Sequence, residues 1–182
     1  NYNTVVGDEA GTALTTGDGN VAIGFNALKT EDANGQNVAI GFKALEDLNA
    51  GADGLNTAVG YSAGLNVTTG IQNTLIGGYA GDALTDADFN VAVGTDALTA
   101  DTLGSRSVAI GRRSLYTQNF TSATDAYNVG VGFNAGYSVT TGIQNTFVGG
   151  LSGDATTTAN SNAAFGYGSL GANTTGAQNV AL

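Results

Sequence analysis

Apolar and polar positions alternate in a short phrase that returns down the whole chain. Asn20-Val21-Ala22-Ile23-Gly24 is followed by a step of mostly smaller residues, Phe25-Asn26-Ala27-Leu28. Near-verbatim copies run over Asn37–Leu45, Asn56–Gly64 and Asn90–Leu98. Looser copies begin at Asn3, Asn73, Ser107, Asn128, Asn145 and Asn162, and a truncated one begins at Asn179. Alternation with a period of two predicts a strand, with Val21 and Ile23 on one face and Asn20 and Ala22 on the other. Helix is a poor reading, because Gly and Thr are too frequent and no 3.6-residue apolar period is present. The Ile23 position holds only Val, Ile or Phe in the complete copies, and the Ala27 position only Ala or Ser. These two columns are expected to point inward. The next position alternates between Leu and Gly, which predicts turns that differ from coil to coil.

The glycine closing each phrase sets the period. Gly7, Gly24, Gly41, Gly60, Gly77, Gly94, Gly111, Gly132, Gly149 and Gly166 are spaced by 17 residues, with one spacing of 19 and one of 21. Both longer spacings follow the third phrase of a set, so residues 1–182 read as a single repeat array with a four-coil super-repeat of about 70 residues. A 17-residue unit is too short for a βαβ crossover and cannot bury its own apolar face. The expected fold is therefore all-β, a parallel β-solenoid of about ten coils. Stacked at about 4.8 Å, ten coils make a rod of roughly 50 Å. Asn20, Asn37, Asn56, Asn73, Asn90, Asn128, Asn145 and Asn162 are expected to form an amide ladder along it, and the glycine column to turn tight corners. Each coil has few sizeable aliphatics. The Ala22 face, apolar as well, is thus expected to be buried by association of copies, with closure as a homotrimer.

Composition narrows the function classes. Fifteen acidic against five basic residues give a formal net charge of −10, which disfavours binding to nucleic acid. The chain has no Cys or His, which removes thiolate metal sites and the commonest general base. No apolar run approaches the roughly 18 residues that span a bilayer, so membrane insertion of this segment is not expected. The chain opens and closes inside the repeat pattern, and a portion of a longer fibre is expected.

Four chemistries merit a test. Asp82, Asp86 and Asp88 cluster, and Asp18 and Asp53 lie in glycine-rich corners, where carboxylates and carbonyls together could hold Ca²⁺. The glycine–aspartate spacing of calcium-binding β-rolls is absent, however, so solvated corners and no cofactor are expected. Glycoside hydrolysis needs two acids about 5–10 Å apart around a sugar cleft, and the acids here occupy variable positions of different coils; no enzyme is expected. Thr4, Thr57, Thr74 and Thr146 share a column that Val breaks, which argues against an ice-binding array. The insertions, residues 46–55 and 116–127, are the fourth. The second contains Tyr116, Phe120 and Tyr127 beside Arg106, Arg112 and Arg113, and aromatic and guanidinium groups together suit a sugar or protein contact. The competing reading has the rings tucked onto the roll and the arginines paired with acids.

Ser107-Val108-Ala109-Ile110-Gly111 and Asn37-Val38-Ala39-Ile40-Gly41, with Ser114 and Ala44 further on, resemble the head repeats of YadA-type trimeric autotransporter adhesins. That resemblance implies a left-handed parallel β-roll and a homotrimer, although the adhesin heads use a shorter period. The 17-residue form, with Asn56–Tyr61 and the Thr-Thr-Gly steps at 68–70 and 140–142, is similar to repeats of bacteriophage tail-fibre and virion proteins, particularly of marine cyanobacteria. These resemblances imply an extracellular, non-enzymatic structural and attachment protein. A phage tail-fibre-like appendage comes first, a bacterial surface adhesin head second and the body of a polysaccharide depolymerase third. The implied partners are further copies of the chain and a host cell-surface glycan or protein.

Overall fold

The computed structural model describes residues 2–182. Its strands are short and all parallel. In chain order they are β1 (Thr4–Val6), β2 (Val21–Ile23), β3 (Val38–Ile40), β4 (Thr57–Val59), β5 (Thr74–Ile76), β6 (Val91–Val93), β7 (Gly104–Ser105), β8 (Val108–Ile110), β9 (Thr124–Asp125), β10 (Val129–Val131), β11 (Thr146–Val148), β12 (Ala163–Phe165) and β13 (Val180–Ala181). One 11-stranded sheet runs in order β1-β2-β3-β4-β5-β6-β8-β10-β11-β12-β13, and β7 pairs with β9 beside it. Equivalent residues pair throughout, as in Val21↔Val38↔Thr57 and Ile23↔Ile40↔Val59. The chain is a parallel β-solenoid whose coils stack in register.

Strands end where they do because of the glycine that follows. These glycines have φ between +117° and +146°, a region hostile to L side chains. At Gly77 a β-carbon would also lie 2.6 Å from the Gly94 carbonyl carbon in the next coil. No other residue fits both the angle and the stack.

The inward columns differ from the expectation in one respect. In the three-residue strands after β1 it is the middle residue that is buried: Ala22, Ala39, Ala58, Leu75, Ala92, Ala109, Phe147 and Ala164 among them, while Val5 in β1, at the end of the stack, is exposed. The Ile23 column, expected inside, faces out with the Val21 column. The interior of a 17-residue coil is narrow, so alanine fits where a β-branched side chain on every level would not. The Ala27 column is buried as expected, through Ala27, Ala44, Ala63, Ala80, Ala97, Ser114, Ala135 and Ser152.

The alternation of Leu and Gly has a different cause from the one its pattern suggests. Leu28, Leu45, Leu98 and Leu115 have φ of 49–54°, and Gly64, Gly81, Gly136 and Gly153 have φ of 56–62°. The turn is the same in every coil, and what alternates is core volume. A β-carbon at Gly81 would stand 2.8 Å from Leu75 and 2.9 Å from Leu84; one at Gly136 would meet Leu115 and Phe147 at 2.8 and 3.0 Å. Where the turn carries Gly, a large side chain from the strand or from three residues further on fills the space.

Both insertions are anchored by a buried carboxylate in the coil before. Glu31 is fully buried and accepts N–H bonds from Asn34 and from Ala50 of the first insertion, each at 3.1 Å. Asp101, 70 residues later, accepts from Gly104 and from Phe120 of the second insertion, each at 3.0 Å, and from Gln118 at 2.6 Å. An ionised carboxylate carries up to four acceptor sites, enough to satisfy amides that the extra residues pull out of the stacking register.

The amide ladder forms. The backbone N–H of Asn37 donates to Asn20 Oδ1 at 3.0 Å, that of Asn73 to Asn56 at 2.9 Å and that of Asn145 to Asn128 at 2.9 Å. Side-chain amides also donate to carbonyls 14 residues on, such as Asn73 to Ala87 at 2.8 Å. Ser107 lacks an amide, and Gln118 bridges the gap. It donates to Ser107 Oγ at 3.0 Å and accepts from Asn128 Nδ2 at 2.9 Å.

Candidate interaction surface

Where the middle residue is Ala or Gly, the larger side chains of the strand lie outside; in β5 and β11 Leu75 and Phe147 fill the inside and Thr74, Ile76, Thr146 and Val148 face out. Four columns run side by side along the rod: the residue before Asn, the Val21 position, the Ile23 position and the residue after Gly. Every exposed large apolar side chain among the described residues, Val5 and Tyr79 apart, belongs to one of them. Ile76, Ile110 and Phe165 lie on the sheet; Leu55, Phe89 and Tyr127 edge its Asn side; Phe25, Phe42, Tyr61, Phe133 and Tyr167 edge its Gly side. Six residues per level and eleven levels of about 4.8 Å bound a face of at most about 20 by 50 Å, or about 1,000 Å² in all, on which Thr57, Thr74, Gln36, Gln72 and Gln144 stand among the apolar side chains.

The Gly-side edge is partly organised by aromatic stacking. Phe25, Phe42 and Tyr61 stack at 5.4 and 4.9 Å, and Tyr79 meets Tyr61 edge-on at 5.3 Å. Stacked rings cover one another's faces and present edges outward. That geometry suits packing against another apolar surface better than stacking on a sugar ring.

The six residues singled out around the second insertion do not converge on one site. Phe120 is buried. Tyr116 stacks on Tyr137 at 5.1 Å with Arg113 over its ring, while Arg113 Nε bonds Asp96 at 3.3 Å. Arg106 lies over the Phe89 ring at 4.6 Å and bonds Asp125 at 2.9 Å, with Tyr127 nearby on the same edge. Arg112 stands on the opposite edge, 6.0 Å from the Phe133 ring centroid. Arg106 and Tyr127 therefore flank one side of the apolar face and Arg112 the other. The strand columns between them were missed because Val and Ile read as core; the many alanines opposite were the signal.

The corner carboxylates serve the coils. Asp88 accepts the Ile71 N–H at 2.8 Å, Asp86 the Thr69 hydroxyl at 2.6 Å, and Asp53 the Gly35 N–H at 3.2 Å. At Asp18 the backbone carbonyl takes the Gln36 N–H at 3.0 Å. Burial raises the Asp82 pKa, opposed in part by the Thr99 hydroxyl that donates to it. Among the described residues no three acidic side chains are grouped to share a cation, and no cavity is enclosed.

Comparison with protein-family models, with curated proteins and with solved structures gave no match.

Proposed function

We propose that this chain is a segment of a non-enzymatic, extracellular fibre of the phage tail-fibre kind, a rigid shaft whose inserted coils contact a host-surface glycan or protein. In this reading the coils form a left-handed β-roll, and three parallel copies turn their apolar faces onto a common axis. The observation that carries it is the outward Val/Ile face with its aromatic edge. Its roughly 1,000 Å² is comparable to the about 800 Å² that each partner contributes to a standard interface. Shared among three chains, the face becomes a second core, and any weak contact made by one copy is repeated around the axis.

Sedimentation equilibrium at micromolar concentration is the test. The expected mass is three times 18.0 kDa. Small-angle scattering of the same species is expected to fit a rod roughly 50 Å long. A one-chain mass overturns the reading.

A further inference from the structure

Four of the five cations have a carboxylate partner within the chain: Lys29 with Glu9, Lys43 with Glu46, Arg106 with Asp125 and Arg113 with Asp96. Arg112 has none among the described residues, although the chain holds fifteen acids. It is exposed, at the Gly-side edge of the apolar face, and leans over Phe133 one level up. At the Asn-side edge, Asp125 gives one oxygen to Arg106 at 2.9 Å, and its other oxygen has the Tyr127 hydroxyl at 3.4 Å. Strand β8 and the Gly111 corner separate the two edges within a chain, and the ion pair of Asp125 within its own chain is with Arg106, not Arg112.

Cyclic symmetry changes that. When parallel copies turn the same face to an axis, the Gly-side edge of each meets the Asn-side edge of the next. Arg112 leaves the seventh strand level of the main sheet and Asp125 enters the eighth. Their offset is one coil, about 4.8 Å, within reach of an arginine side chain.

We propose that Arg112 pairs with Asp125 of the adjacent copy, completing an Arg106–Asp125–Arg112 triad that sets the axial register of the assembly. The inference rests on the association proposed above. A register device is needed because the two strand columns hold β-branched Val, Ile or Thr at almost every level, so a slip by one coil changes little of the shape they present. A single charged level penalises every slipped alignment, as a lone polar position does in a coiled coil. After a one-coil slip, Arg112 faces Asn-side edge residues of another level and Asp125 loses its second cation.

The chain has no cysteine, which makes the test direct. In the Arg112→Cys, Asp125→Cys double variant, a short bis-maleimide is expected to link chains to one another; either single variant is expected to stay unlinked. Pairing Arg112→Cys with Asp53→Cys, which enters the fourth strand level and so lies three levels from Arg112, is expected to give no link. Separately, Arg112→Asp is expected to weaken association roughly tenfold, and mixing it with Asp125→Arg to favour mixed over pure assemblies, as expected for opposed charges at an interface edge. If the unmodified chain is monomeric, the association itself fails and this proposal with it. If it associates but residues 112 and 125 do not link, or 112 links to 53 instead, the register proposal alone is overturned. Arg112→Asp associating as tightly as the unmodified chain overturns it equally, and should that variant not fold, the cysteine pairs decide.

Discussion

A β-carbon at Gly77 meets two obstacles at once, a φ of +133° and the Gly94 carbonyl carbon at 2.6 Å. Gly77→Ala is therefore expected to cost about 3 kcal/mol or more, measured by urea denaturation. Asp101 holds three donors of an inserted coil and its neighbour at once, since Gly104, Phe120 and Gln118 all donate to its carboxylate. Asp101→Ala strands three buried donors and is expected to cost about 2–4 kcal/mol. Hydrogen exchange should place the loss of protection around residues 118–128, because a solenoid coil touches only its neighbours. Asp82 behaves oppositely. Its carboxyl is held above the usual range by burial, so the folded state binds a proton more readily than the unfolded one. Its destabilising effect is full above the folded-state pKa and fades as pH falls through that value toward the unfolded one. Asp82→Asn keeps an acceptor for Thr99 and is expected to raise stability at neutral pH. Its stability should also change less between neutral pH and pH 4, measured by denaturant midpoint.

At the scale of the coil, the exchange of volume between turn and strand makes a prediction about pairs. Gly81→Ala brings a methyl against Leu75 and Leu84 and adds strain at φ +56°. Gly81→Ala and Leu84→Ala are each expected to destabilise, by roughly 1–3 and 2–5 kcal/mol. Combined, they should cost less than their sum, a coupling that thermal or urea unfolding of the four-member cycle would read. The sequence made the period, the strand phrase, the glycine corners and the Asn ladder legible, because each follows from spacing alone. It did not reveal which side of the strand is the inside. Alternation says only that Val21 and Ala22 face opposite ways, and the choice depends on how wide a 17-residue coil is. Glu31, Asp101 and Gln118 were equally hidden, since their roles exist only once an inserted coil displaces its amides. The Arg–aromatic cluster was legible as a neighbourhood, but the strand between Arg106 and Arg112 sets them on opposite edges.

For the whole molecule, the outward aliphatics allow folding to be tested apart from the proposed association. Ile40 is only half-buried in the isolated chain. Ile40→Asp is expected to leave the β circular dichroism signal of the coil stack nearly unchanged, since exposed substitutions usually alter stability by about 0.5 kcal/mol or less. The same change is expected to lower the assembled mass in sedimentation. Unfolding instead of dissociation would show that the face belongs to the chain's own core. The ladder also has a mechanical side. Hydrogen bonds between coils run along the rod, so a pull on its ends loads all the bonds at one junction together and the junctions one after another. Strength under tension is then that of the weakest junction, however long the array. Between Ser107 and Asn128 the side-chain rung runs through Gln118, a longer and more yielding strut than the asparagines elsewhere. That junction is where a stretched coil stack is expected to part first.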